Sequence, residues 1–256
     1  MSKWFAICLR ELRSLAVSPV AAVCIAMFLL VTGYLFYTIV IAASAQTRMV
    51  LRMQQMLPQL NINDTILTPS LRNFSVILLL IVPLLTMRLI AEEKKQKTSE
   101  LLLTSPVTVT QIVLGKYAAA LALYALMLGL TLYMPLLLAQ FGAIAWWPVA
   151  SGYLGLFLVG AVFLAVGLFA SSLTENQMIA AITSFALLLM MWLLGWAGAA
   201  TADSAWGRLL TELSILDRLN HFLDGLVDTQ DVVYLIGLIA VSLFLTHRVV
   251  ESSRWR

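Results

Sequence analysis

Charge is what this sequence has least of. Only 11% of its 256 residues are Asp, Glu, Lys or Arg, against 61% hydrophobic, and the mean hydropathy is +0.94. A soluble domain carries about 25% charged residues, so a soluble globule is excluded as the default and a multi-span membrane protein takes its place. The formal charge of +3 is too small for a nucleic-acid-binding surface. In absolute number cysteine is scarcer still, at two residues. Cys8 and Cys24 form no CxxC or Cys/His cluster, which argues against a metal site or a disulfide, and both read as small buried or interfacial apolar residues. The dipeptide Gly115–Lys116 is no phosphate loop, because Thr110 stands where that loop needs its first glycine. Two histidines leave little material for a Ser/His/Asp constellation. His221 reads as an interfacial residue and His247 as a partner for a helix C-terminus. No catalytic site, metal or cofactor is therefore expected in this chain.

What is present is apolar length. Six runs are long enough to cross a bilayer, at 19–43, 74–89, 111–138, 151–171, 178–199 and 232–245. The second and sixth are short, so their helices are expected to extend into polar flanks. Beyond their ends these runs hold no Asp, Glu, Lys or Arg, which argues against a proton- or ion-coupled transporter. Their hydroxyls, such as Thr32, Tyr34, Tyr37, Thr38, Tyr124, Thr131 and Tyr133, read as interhelical hydrogen-bonding groups. Small pairs such as Ala161/Ala165, Gly167/Ser171 and Gly195/Ala199 suit close helix approach.

The first run is not a signal peptide, since 18 residues precede it and it is too long for one. In residues 1–18, Phe5, Cys8, Leu9, Leu12 and Leu15 recur at helical spacing, which predicts a short amphipathic helix in the headgroup plane. A cytosolic extension of the first span is the other reading. Ser18–Pro19, an N-cap followed by proline, favours the in-plane one. Six spans put both termini on one side. The other side holds Arg48, Arg52, Arg72, Arg208 and Arg218, and the remaining eleven of the 16 basic residues make the terminal side cytoplasmic. Two outer-face segments are expected, at 44–73 and 201–231. In the second, Leu209, Leu213, Leu216, Leu219 and Leu223 suggest short helices lying on, or dipping into, the outer leaflet. Residues 1–256 read as one transmembrane domain.

The most charge-dense stretch is "EEKKQKTSELLLTSP", at 92–106 between the second and third runs. It reads as a continuation of the second helix, with Glu93 and Lys97 as a favourable i,i+4 pair. An apolar tip follows at Leu101, Leu102 and Leu103, then a break, and a capping box from Thr108 to Gln111 opens the third span. Three exposed leucines cost free energy unless headgroups or a partner's groove cover them, and the residues leave both options open.

The run "FSVILLLIVPLLTMRLIAEEKKQKTSELLLTSPVTVTQIVLGKYAAAL" resembles type-2 ABC-transporter permeases, nearest to the gliding-motility GldF subfamily. "SSLTENQ" at 171–177, "HFLDGLVDTQDVVYLIGL" at 221–238 and "LRELRSLAVSP" near the start are similar to that subfamily too. The resemblance implies an all-helical six-span permease whose elbow is a coupling helix docked on a separate ATP-binding subunit. Leu101, Leu102 and Leu103 would fill that subunit's groove, and Glu92, Glu93, Lys94, Lys97 and Glu100 would pair with its rim. Glu175 and Asn176, in the turn between the fourth and fifth spans, would make a smaller contact. The N-terminal helix would lie beside the elbow. ATP and magnesium would belong to the partner ATPase, expected in two copies. The resemblance also implies a bacterial inner membrane, a possible permease homodimer, and a second membrane subunit with a large extracytoplasmic domain. A membrane scaffold that does not transport is the alternative, and an intramembrane enzyme a distant third.

Overall fold

Pro19 divides the start of the chain. It has no N–H and a fixed φ, so it suits a first helical position better than an interior one. The computed structural model, which describes residues 3–52, 61–96, 108–200 and 204–252, accordingly shows helix α1 at Lys3–Val17 and helix α2 at Pro19–Arg52, parted at Ser18. The Ser18 carbonyl accepts from the Ala22 N–H at 3.2 Å, starting the second ladder. All regular structure among the described residues is helical.

Among the described residues six helical segments are long and apolar enough to span a membrane: Pro19–Met49, Asn63–Lys95, Val109–Leu138, Trp146–Ser172, Gln177–Gly198 and Thr229–Ser252. The two runs that look short in sequence gain their length from polar flanks. The first span also runs on through part of the expected outer-face segment. Its polar residues there hydrogen-bond to the helix itself: Ser44 to the Ile41 carbonyl at 2.8 Å and Thr47 to that of Ala43 at 2.9 Å. A polar stretch therefore extends the helix instead of ending it.

The second span opens with one π-helical turn, Asn63–Leu67, and continues as α3, Thr68–Thr86. Residues 87–90 then form a turn before a short helix α4 at Ala91–Lys95. The described start of the elbow, residues 92–96, thus follows a four-residue turn within the second span. The third span comprises α5, Val109–Leu130, and α6, Tyr133–Leu138, with the Thr108–Gln111 capping box formed as the sequence predicts. The fourth and fifth are α7, Trp146–Ser172, and α8, Gln177–Ala200. Two short amphipathic helices follow, α9 at Ala205–Glu212 and α10 at Ile215–Leu223. Gly225, at φ 84°, ends α10 in a left-handed turn that β-carbon residues resist. The sixth span is α11, Thr229–Ser252.

Helix α7 is the centre, packed against α3, α5, α8, α10 and α11. The hydrophobic windows of the second and fourth spans are 72% and 78% buried, against 17–22% for the first, fifth and sixth. Small residues make that centre possible. A β-carbon on Gly160 would stand 2.2 Å from the Tyr124 ring, and one on Gly167 2.3 Å from the Thr86 hydroxyl. The fully buried Tyr124 hydroxyl donates to the Leu156 carbonyl at 2.6 Å, and Tyr117 to that of Ala161 at 3.1 Å. Thr131 meets Tyr153 at 3.1 Å, so these hydroxyls do join helices, whereas Thr32 and Thr38 bond within their own. Helix α10 is not laid flat on a surface: Leu219, Phe222 and Leu223 are buried against α7 and α8. Cys24 is buried and Cys8 half-buried, both unpaired, as read from sequence.

Gly160→Val therefore drives two methyl groups into a closed ring contact. It should destabilise the detergent-solubilised protein by about 1–3 kcal/mol or more, read as a lowered thermal unfolding midpoint. An unchanged midpoint would show that α5 and α7 are not packed this closely.

Candidate functional site

A cluster of charged residues gathers where α1, the elbow and the start of α5 meet. At their centre is Lys116, on α5 seven residues beyond Val109 and 1% exposed. Its ammonium lies 2.7 Å from Glu93 Oε1 on α4 and 3.2 Å from Glu11 Oε2 on α1. Arg10 adds a second cation, 2.6 Å from the other Glu11 oxygen and 3.8 Å from Glu93. Helix α1 reaches this depth because Gly115 has no side chain: a β-carbon there would meet Ile7 Cγ2 at 2.8 Å. A buried ammonium costs several kcal/mol unless it is paired, so its position fixes where both carboxylates must lie.

A second tie runs from Arg88. Its guanidinium forks onto the Glu92 carboxylate at 2.7 and 2.8 Å and donates to Ser18 Oγ at 3.1 Å. One side chain thus holds the α1/α2 break to the elbow. A third tie comes from the far side. Ser171, at the end of α7, accepts from the Ile90 and Ala91 N–H groups at 3.2 and 3.1 Å and meets the Met87 carbonyl at 3.1 Å. Backbone groups left orphaned by the break at 87–90 are satisfied by this one hydroxyl. Lys94 Nζ donates to the Ser172 carbonyl at 2.5 Å. Between α1, the start of α2 and the elbow lies a cleft of about 560 Å³, walled by these charges and by Leu15, Val17 and Leu89.

The structure thus brings Glu92, Glu93 and Lys94 together with the start of the Ser171–Gln177 turn. Within the chain each of the three already has a partner. Glu175 and Asn176 stand exposed on that turn, where Asn176 Oδ1 accepts from the Met178 N–H at 2.9 Å and caps α8. Lys97, Glu100, Leu101, Leu102 and Leu103 lie outside the described residues, and with them the expected Glu93–Lys97 pair. In the sequence Arg88 counts only toward orientation, Lys116 toward orientation and a rejected phosphate loop, and Ser171 only as a small residue for close packing and as part of the 171–177 turn. The available signal is a lysine five residues past the start of the third run, right after a glycine. Among the described residues no cluster of His, Cys, Asp or Glu could hold a metal ion.

The opposite end of the bundle has its own lock. Buried Asp231, in the first turn of α11, meets Arg218 at 2.6 Å and His221 at 2.8 Å. The Arg218 guanidinium also lies 4.0 Å over the Tyr234 ring. His221 is thereby an anchor for α10. His247, 3.8 Å from Glu251, pairs with a side chain in the last turn of α11.

A family model described as an ABC-2 family transporter protein matches residues 36–207. The chain belongs to this family. The match takes in the elbow, Lys116 and the turn at 171–177, and leaves out α1, α10 and α11. No curated protein matches the chain at a significant level. As an ABC-2 transporter membrane domain, it is a multi-pass membrane protein, with six candidate spans among the described residues.

In this ABC-2 protein, Lys116→Met should strand two carboxylates in a poorly hydrated site and cost about 3 kcal/mol. Combining it with Glu11→Gln and Glu93→Gln should recover part of that loss. Thermal unfolding of single and triple variants checks this, and a triple variant no better than the single would refute the pairing.

Proposed function

We propose that this ABC-2 chain is the membrane-spanning permease subunit of an ATP-driven transporter and that its elbow is where a separate ATPase subunit docks. The observation that carries the reading is the convergence on the elbow. Four segments that are distant in sequence (α1, the α3–α4 break, the start of α5 and the end of α7) are joined there by Lys116, Arg88 and Ser171. A push on the elbow would reach α1 and the second, third and fourth spans through oriented contacts, which is what coupling to a soluble motor requires. Leu101, Leu102 and Leu103 would enter the ATPase groove, with Lys97, Glu100, Glu175 and Asn176 on the rim. Because Glu92, Glu93 and Lys94 have internal partners, their share in this reading is to carry force inward.

In this reading both termini face the cytoplasm of a bacterial inner membrane, following the distribution of basic residues. Two ATPase copies would supply ATP and magnesium chemistry that this chain has no residues for. The permease would pair with a second copy or with a membrane subunit bearing a large extracytoplasmic domain. Export or extraction of a substrate, or mechanical work on that domain, would be the output. Among ABC-2 permeases the gliding-motility GldF group is the nearest by the resemblance of residues 74–121.

Mild-detergent purification of the tagged chain from its native membrane tests this. An ATP-binding protein should co-purify and be lost on Leu102→Asp. Retention of that protein by the variant would remove the docking role. A complex that keeps its other membrane partners, holds no ATPase and ignores nucleotide would establish a scaffold instead.

A further inference from the structure

A second cleft, of about 390 Å³, lies between α5 and α11 at the same end of the bundle, away from the charged cluster. Its inner part is apolar, formed by Val113, Leu114, Leu243 and Phe244, and its lip is polar, formed by Thr110, His247, Arg248 and Glu251. Leu243 and Glu251 are eight residues apart on one helix, so this change from apolar to polar takes about 12 Å. That is the grading a bilayer shows from acyl chain to headgroup. Both walls are membrane spans, and Leu114 and Phe244 are 40% and 56% exposed. The groove therefore opens sideways toward lipid.

Its lip has a particular charge pattern. Arg248 carries one formal positive charge and Glu251 one negative, 3.3 Å apart, with the Arg248 side chain 64% exposed and 5.1 Å over the Phe244 ring. Such an exposed pair is worth little by itself, so its members are free to take other partners. Among the described residues Arg248 donates only to Glu251, which leaves further guanidinium N–H groups available. His247 Nδ1 stands 3.8 Å from the same carboxylate. An arginine suits a phosphate, and a carboxylate beside it suits an ammonium. A purely anionic headgroup would meet Glu251 unfavourably.

We infer that this groove holds one phospholipid with an ammonium-bearing headgroup, of the phosphatidylethanolamine type, its phosphate on Arg248, its ammonium on Glu251 and an acyl chain along Leu114 and Phe244. The site lies at headgroup level whichever leaflet that end of the bundle faces.

Native mass spectrometry of the intact chain, in an equal mixture of phosphatidylethanolamine and phosphatidylglycerol, tests the inference. Phosphatidylethanolamine should be retained preferentially. Arg248→Ala should reduce retention about tenfold, and Glu251→Gln should shift the preference toward phosphatidylglycerol. Arg72→Ala, exposed at the opposite end of the second span, should change nothing. Leu114→Trp, filling the groove, should also expel the lipid. If that variant fails to fold, the exposed Arg248 and Glu251 variants decide. Equal retention of both lipids, a phosphatidylglycerol preference in the unaltered chain, or indifference to Arg248→Ala would each overturn the assignment.

Discussion

A single ammonium group, that of Lys116, sets the terms for the elbow end of this protein. Removing it from water is costly, and the cost is met only if Glu11 and Glu93 both reach it. Such a pair is weak evidence for stability, because apolar residues of similar volume often serve as well. It is strong evidence about position. A methionine would tolerate α1 a few ångströms to either side, whereas a paired lysine at this burial does not. The N-terminal helix, the elbow and the third span are therefore placed relative to one another by charge, while the rest of the bundle is placed by shape.

Shape governs the centre through missing side chains. Gly160 and Gly167 let α7 come within contact of Tyr124 and Thr86, and the two spans nearest the middle are the most buried. Without a hydrophobic drive between helices in lipid, such close approach and the hydroxyl-to-carbonyl bonds of Tyr124 and Tyr117 supply much of the cohesion. Movement of α7 would therefore be felt by α3 and α5 together. The proposed docking of an ATPase under the elbow draws on that stiffness.

Much of this architecture is legible in the sequence because it follows from local chemistry. Hydropathy locates all six spans, Ser18–Pro19 the first helix break, and Thr108 with Gln111 the start of the third span. What is not legible depends on partners distant in the chain. Nothing near residues 87–90 announces a break, because its stabilising hydroxyl is Ser171, some 80 residues later. The Glu93–Lys116 contact is likewise invisible locally, since the two lie 23 residues apart. The outer-face segment at 44–73 reads as polar and separate, yet helix α2 persists to Arg52 because its serine and threonine bond to the turn behind them. Of the elbow residues named from resemblance, the described ones turn inward, and the leucine tip lies beyond what the structure describes.

The chain order of the buried trio has a consequence for biogenesis. Glu11 and Glu93 both precede Lys116 in the sequence. A ribosome makes the chain from its N-terminus at about 5–20 residues per second, so both carboxylates are synthesised before the lysine appears. The cation enters the membrane after its counter-charges. In the reverse order, the lysine would wait for its two partners beside a half-built bundle. As it stands, insertion of the third span and neutralisation of its one deeply buried charge are the same event.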